Sequence, residues 1–160
     1  MKLKNNIILA VAAMVSALRG HVLAANTYDA AVETNECAVT RTNDAAVTTR
    51  HLLWQKGAGD LTVAVNIATT CPLGTVDNTE TETGMRQSVL LLGKGPTKKM
   101  VANEIITEGE RVFGAAAGKV SDLPAGAGTY YCVGTALTGS GADGDIIEVQ
   151  DCVPYGVVVS

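Results

Sequence analysis

Residues Gly109 to Pro154 constrain this chain more than any other stretch, because short apolar runs there alternate with glycine-rich turns. The runs are Glu110 to Phe113, Thr129 to Leu137 and Asp145 to Cys152. The turns between them are 115–119, 124–128 and 139–144. A helix needs a longer uninterrupted period, and Gly and Pro at these intervals stop it from propagating. Tightly turned strands satisfy the same pattern, so the stretch predicts a small β domain.

Upstream residues extend that reading. Leu61, Val63, Val65 and Ile67 alternate with Thr62, Ala64, Asn66 and Ala68, the period of a half-buried strand. His51 to Gln55, just before Gly57-Ala58-Gly59-Asp60, is its expected hairpin partner. Further strands are expected at Ser88 to Leu92 and Met100 to Ile106, with Tyr155 to Val159 as a closing edge strand. Cys71 to Gly74 reads as a turn, and Val76 to Thr83, acidic and Thr-rich, as an exposed loop. About eight strands at this spacing suit a small barrel, a β-tulip-like body or a sandwich. Aromatic residues make up only 4% of the chain, so Val, Leu, Ile and Ala must fill its core.

The N-terminal third is different. Residues 1–50 are expected to form an arm and linker, and residues 51–160 the β domain. Met1 to Lys4 is basic, Ile7 to Leu18 is apolar but for Ser16, and Val22-Leu23-Ala24 resembles a cleavage site. An apolar run of about 12 residues falls short of the ~20 that span a bilayer, which argues against a transmembrane helix. The same residues also fit a helical arm, since Ile8, Val11, Val15, Leu18 and Val22 share one helical stripe. So short a helix is marginal alone and would have to dock on a partner or on the chain's own body. Asn26 to Arg50 is Thr-, Ala-, Asn- and Asp-rich and reads as a linker, with short strands possible at Cys37 to Thr40 and Ala46 to Thr49.

Chemistry-bearing patterns are sparse. A net charge of −4 lacks the basic face that phosphate backbones require, so nucleic acid is not an expected partner. Lys94, Lys98 and Lys99 read as a solvated loop. Cys37, Cys71, Cys132 and Cys152 form no C-x-x-C pair, and only His21 and His51 could add imidazole, so no metal site is expected. The cysteines read as buried thiols; two disulfides are the other arrangement their even number permits. Gly139-Ser140-Gly141 is not a nucleophile elbow, and Asp143-Gly144-Asp145 lacks the further ligands of a calcium loop. Both read as turns. No catalytic residue and no cofactor are expected, and the chain is not expected to be an enzyme. Trp54, the lone tryptophan, is a candidate partner contact together with the N-terminal stripe, although core packing is the more frequent fate of a lone Trp.

Several motifs in order carry a resemblance. Gly109-Glu110-Arg111-Val112-Phe113, Gly118-Lys119-Val120, Gly128 to Leu137 (GTYYCVGTAL) and Ala142 to Val149 (ADGDIIEV) are similar to the C-terminal half of small tailed-bacteriophage capsid decoration proteins. Cys71-Pro72-Leu73-Gly74 and Ser88 to Gly93 resemble the first half, so the likeness runs from Leu52 to Pro154. It implies a compact β fold on the capsid exterior, assembled in the host cytoplasm, where thiols stay reduced. It further implies a homotrimer that cements neighbouring major capsid subunits. Membrane and nucleic acid are not expected partners. The rivals are a secreted or envelope-associated β protein with a cleaved signal, and a head-fibre or tail-tube component.

Overall fold

The computed structural model describes residues 38–46, 48–79, 82–95 and 97–160. The expected N-terminal arm, with Ile8, Val11, Val15, Leu18 and Val22, lies outside the described residues, as do the cleavage-like segment and Cys37. The described residues fall within the unit Glu36–Ser160. They form strands β1 (Ala38–Asn43), β2 (Leu53–Lys56), β3 (Thr62–Val65), β4 (Gly74–Val76) and β5 (Arg86–Leu91), followed by β6 (Lys98–Val101), β7 (Arg111–Gly114), β8 (Val120–Ser121), β9 (Gly128–Ala136) and β10 (Ile146–Val159). The fold is mainly β, as the turn-and-run rhythm predicts.

The first five strands close a barrel in the order β1-β3-β2-β4-β5. The β2–β3 hairpin has the expected antiparallel pairing, Trp54 opposite Val65 and Lys56 opposite Val63. Closure comes from β1, which pairs antiparallel with β5 from Ala38↔Leu90 to Thr42↔Arg86 and parallel with β3 at Thr42↔Thr62. The body therefore begins upstream of the expected boundary between residues 50 and 51. A strand inside the supposed linker is one wall of the barrel. Val76 differs from expectation too: it is not in an exposed loop but ends β4, fully buried.

Trp54, Val63, Val76 and Val89 fill the barrel, with Val39, Leu52, Val65 and Leu73 packed against them. Of the two readings of Trp54, the core position holds and the partner contact does not. Its side chain is 0% exposed, and no partner reaches it without opening the barrel. A side chain of this size removes more apolar surface from water when buried than any other, which favours the interior.

The remaining strands form a second sheet in the order β6-β10-β9-β7-β8. It curls until Ala102, one residue past β6, meets Val120 of β8 in a parallel bridge. The Asn103 N–H donates to the Val120 carbonyl at 2.8 Å and holds the two edges together there. Inside lie Met100, Ile106, Val112, Val133, Ile147 and Val149. Leu53 of β2 joins this second cluster while its neighbour Trp54 fills the barrel. Successive residues of a strand point to opposite faces, so one short strand supplies both cores.

β10 runs through a position where a break was expected. Asp151 pairs with Gly134 and Tyr155 with Cys132, so Cys152, Val153 and Pro154 bulge opposite the single residue Val133. Pro154 is tolerated because a bulge asks for no ladder hydrogen bond from it. The bulge also aims Asp151 at the barrel. Its carboxylate accepts the Gly93 N–H at 2.6 Å and faces the Lys98 ammonium at 3.7 Å. Lys98 is thus no solvated loop residue; its side chain and that of Asp151 are both buried. Gly93, at φ +71°, has the Val153 backbone where a Cβ would stand, so only glycine fits the contact.

Removing the Asp151 carboxylate leaves the Lys98 charge buried without its partner. Asp151→Ala is expected to cost about 3 kcal/mol in urea unfolding. Asp151→Leu combined with Lys98→Met is expected to recover most of that loss. A single substitution that costs no more than a surface change would show the pair to be solvated.

Candidate interaction surfaces

Ser140, Asp143 and Asp145, the turn residues singled out in the sequence, each have a structural engagement. Ser140 is buried, and its Oγ accepts the Ile106 N–H at 2.8 Å while donating to the Glu104 carbonyl at 2.6 Å. It staples the β9–β10 connection to the 104–106 segment. The Asp145 carboxylate accepts the N–H groups of Gly141 and Ala142, which folds the expected turn. Asp143 pairs with Lys119 at 2.6 Å. Among the described residues, no group of three or more His, Cys, Asp or Glu is placed to hold a metal ion. Among them, too, no helix is long and apolar enough to cross a membrane.

Three surfaces stand out. The first is an open cleft of about 500 Å³ at the barrel end, lined by Arg50, His51, Asp77, Lys98 and Lys99 among others. His51 sits in left-handed backbone (φ +63°), and its Nδ1 meets the Asp77 carboxylate at 3.1 Å. Lys98 is turned toward Asp151 and the Lys94 carbonyl, so its charge is spent internally. The cleft therefore has mixed charge and no convergent set of donors.

The second surface is the β10 bulge, where Arg111, Cys132, Asp151, Cys152 and Tyr155 meet around a depression of about 280 Å³. Cys132 and Cys152 are free thiols in this structure, as is the exposed Cys71. Burial pushes the Cys152 thiol up to about 11, and the neighbouring Cys132 thiol adds to the effect. The Tyr155 phenol is also raised, first through its hydrogen bond with Cys132. A thiol so far above neutral pH is almost wholly protonated and is a poor nucleophile.

The third surface is the far half of the β9–β10 pair. Beyond the bulge, residues 155–159 of β10 pair with 128–132 of β9, from Tyr155↔Cys132 to Val159↔Gly128. β6 pairs with β10 only from Ile146 to Val149, and β7 pairs with β9 only from Cys132 to Thr135. A two-stranded ribbon thus runs past both neighbours. It bears the exposed apolar side chains Tyr155 and Val158, with Val153 exposed at its base. The alternation of Val, Tyr and Thr marks this segment as strand in the sequence. Only the pairing pattern shows that, among the described residues, no third strand pairs with it.

No protein-family model matches this chain, and no curated protein matches it in sequence. Among solved structures, it is similar to the N base of head fibre gp8.5 of bacteriophage phi29. The superposition covers 77% of this chain and 92% of that one, with a TM-score of 0.50 and 17% sequence identity. At that identity the likeness is one of fold.

The thiol environment has a direct readout. With iodoacetamide at neutral pH, Cys71 is expected to label while Cys132 and Cys152 stay unmodified in the folded chain. At pH 8 the thiolate fraction of Cys152 is about one in a thousand, and its labelling rate should climb about tenfold per pH unit below pH 11. Rapid labelling of Cys152 at pH 8, located by peptide mass, would contradict its placement.

Proposed function

We propose that this chain is a structural component of a phage head, one that binds the outer surface of the capsid and cements neighbouring major capsid subunits. The observation that supports this most is the shared fold, across most of both chains, with a protein described as the base of a phage head fibre. The sequence resemblance to capsid decoration proteins points the same way. Its motifs fall on the elements that build the second sheet: Val133 to Ala136 in β9, and the 142–145 turn with β10.

The physical logic suits a cementing role. In a small body where Ser140, Asp143, Asp145 and the Lys98–Asp151 pair serve the fold, the reading rests on surface contact. Several weak contacts made at once multiply in affinity, so a homotrimer that touches several capsid subunits can hold a shell that no single contact would hold. Residues 1–25 are proposed to supply part of the shell contact through the Ile8 to Val22 stripe, ordering on a surface that repays the cost. The same structural likeness favours one narrower variant, in which the chain is the base of a head fibre rather than a free-standing decoration.

Mixing the purified chain with heads lacking it tests the proposal. The full chain is expected to bind at saturable copy number and raise the temperature at which heads release DNA. Residues 26–160 alone should bind more weakly. Absence of binding by the full chain would overturn the proposal. Equal occupancy without residues 1–25 would remove the arm from it.

A further inference from the structure

Cys132 and Cys152 meet because the β10 ladder is broken. Asp151 pairs with Gly134 and Tyr155 with Cys132, so Cys132 shares a face of the sheet with Gly134 and Asp151. In an unbroken ladder Cys152, the next residue along β10, would point to the opposite face, away from Cys132. The bulge over residues 152–154 cancels that alternation, since extra residues turn the strand about its own axis. Both cysteines line one depression, together with Arg111 and Tyr155. The Cys152 Sγ lies 3.9 Å from the Cys132 carbonyl oxygen, and the two thiols are within hydrogen-bonding reach of each other. The exposed Cys71 does not line that depression.

We infer that Cys132 and Cys152 are the two ends of a reversible disulfide, formed across the bulge when the chain meets a small-molecule disulfide and opened again by a thiol reductant. The step balances as thiol–disulfide exchange. Cys152 is the less buried of the two, so it gives its proton to solvent and its thiolate attacks one sulfur of the oxidant. The first small thiolate departs and takes up a proton. Cys132 then loses its own proton and attacks the Cys152 Sγ of the mixed disulfide, releasing the second small thiol. The protein thiols give up two electrons in all, and the oxidant is reduced to two thiols. The Arg111 guanidinium favours the Cys152 thiolate, but burial outweighs it, so the exchange is slow at neutral pH and quickens as pH rises. The bond joins residues 20 apart and removes freedom chiefly from the unfolded chain. It also fixes the bulge that aims Asp151 at Gly93 and Lys98. Under a reducing poise the pair stays as thiols, and under an oxidising one the bond forms.

Head binding uses no thiol, so this inference and that proposal fail separately. The test uses the full chain, as wild type and as the double variant Cys37→Ser, Cys71→Ser, in which Cys132 and Cys152 are the only thiols. Each is reduced, freed of reductant and incubated with oxidised glutathione at mildly alkaline pH, both folded and in urea. The folded double variant is expected to lose two hydrogens by intact mass. After cleavage at Asp143 or Glu148, which lie between the two cysteines, both chains should yield a peptide pair joined through Cys132 and Cys152. The thermal midpoint is expected to rise by about 5 °C or more and to fall back on adding dithiothreitol. Cys152→Ser in the double variant should lose both the bond and the shift, with a midpoint near that of its reduced parent. A lasting mixed disulfide with glutathione, a bond to a second copy, or a bond from either residue to Cys37 or Cys71 in wild type overturns the inference. So does an internal bond that lowers the midpoint, or a folded double variant whose thiols persist while the same chain oxidises in urea.

Discussion

Leu53 and Trp54 are adjacent, both are fully buried, and they belong to different cores. A strand of four residues thereby joins a closed barrel to a curled sheet, and neither can pack without it. Gly118 completes the joint: its N–H donates to the Asn66 carbonyl at 2.9 Å, and the Leu53 carbonyl stands 2.7 Å from where a Cβ would be. At φ +72° that position suits glycine on conformational grounds as well. Loss of either core exposes a large side chain of the other, so the two are expected to unfold as one cooperative unit.

A second device sits at the opposite junction. The bulge in β10 turns Asp151 inward to hold Gly93 and Lys98, and it frees the strand beyond it from β6. One irregularity thus divides a long strand into an anchored half and a projecting half. The anchored half is bound to the body by apolar burial and a charge pair. The projecting half carries neither, and it is the part of the described surface that most resembles an unfinished sheet. For a protein proposed to act by adhesion, that division of labour places rigidity in the body and contact at its margin.

Local signals in the sequence were sufficient for local structure. Alternation over Leu61 to Ile67 and the turn at Gly57 to Asp60 locate the β2–β3 hairpin, and the glycine-rich turns locate β7 to β10. Pairings across long separations were not legible. Ala38 to Asn43 overlaps the short strand expected at Cys37 to Thr40, but nothing local shows its pairing with β5, over 40 residues away, or its place in the barrel wall. Lys98 looks solvated until Asp151 is found beside it. Pro154 looks like a terminator until the bulge removes the demand for its N–H. Rarity makes Trp54 a candidate contact, whereas its position in an alternating run, one residue from Leu53, is the better guide to its burial. Nothing in the ribbon's own residues announces that β6 and β7 stop short of it, because that is a property of the neighbouring strands.

The role proposed for this chain, holding a phage shell together from outside, rests on a likeness of fold and on motif order. A cryo-electron density map of phage particles released by cells that encode this chain tests that proposal most directly. The account predicts a two-lobed β body seated outside the shell, touching more than one major capsid subunit. A shell whose outer surface carries no such density, in particles shown by mass spectrometry to lack the chain, would contradict it.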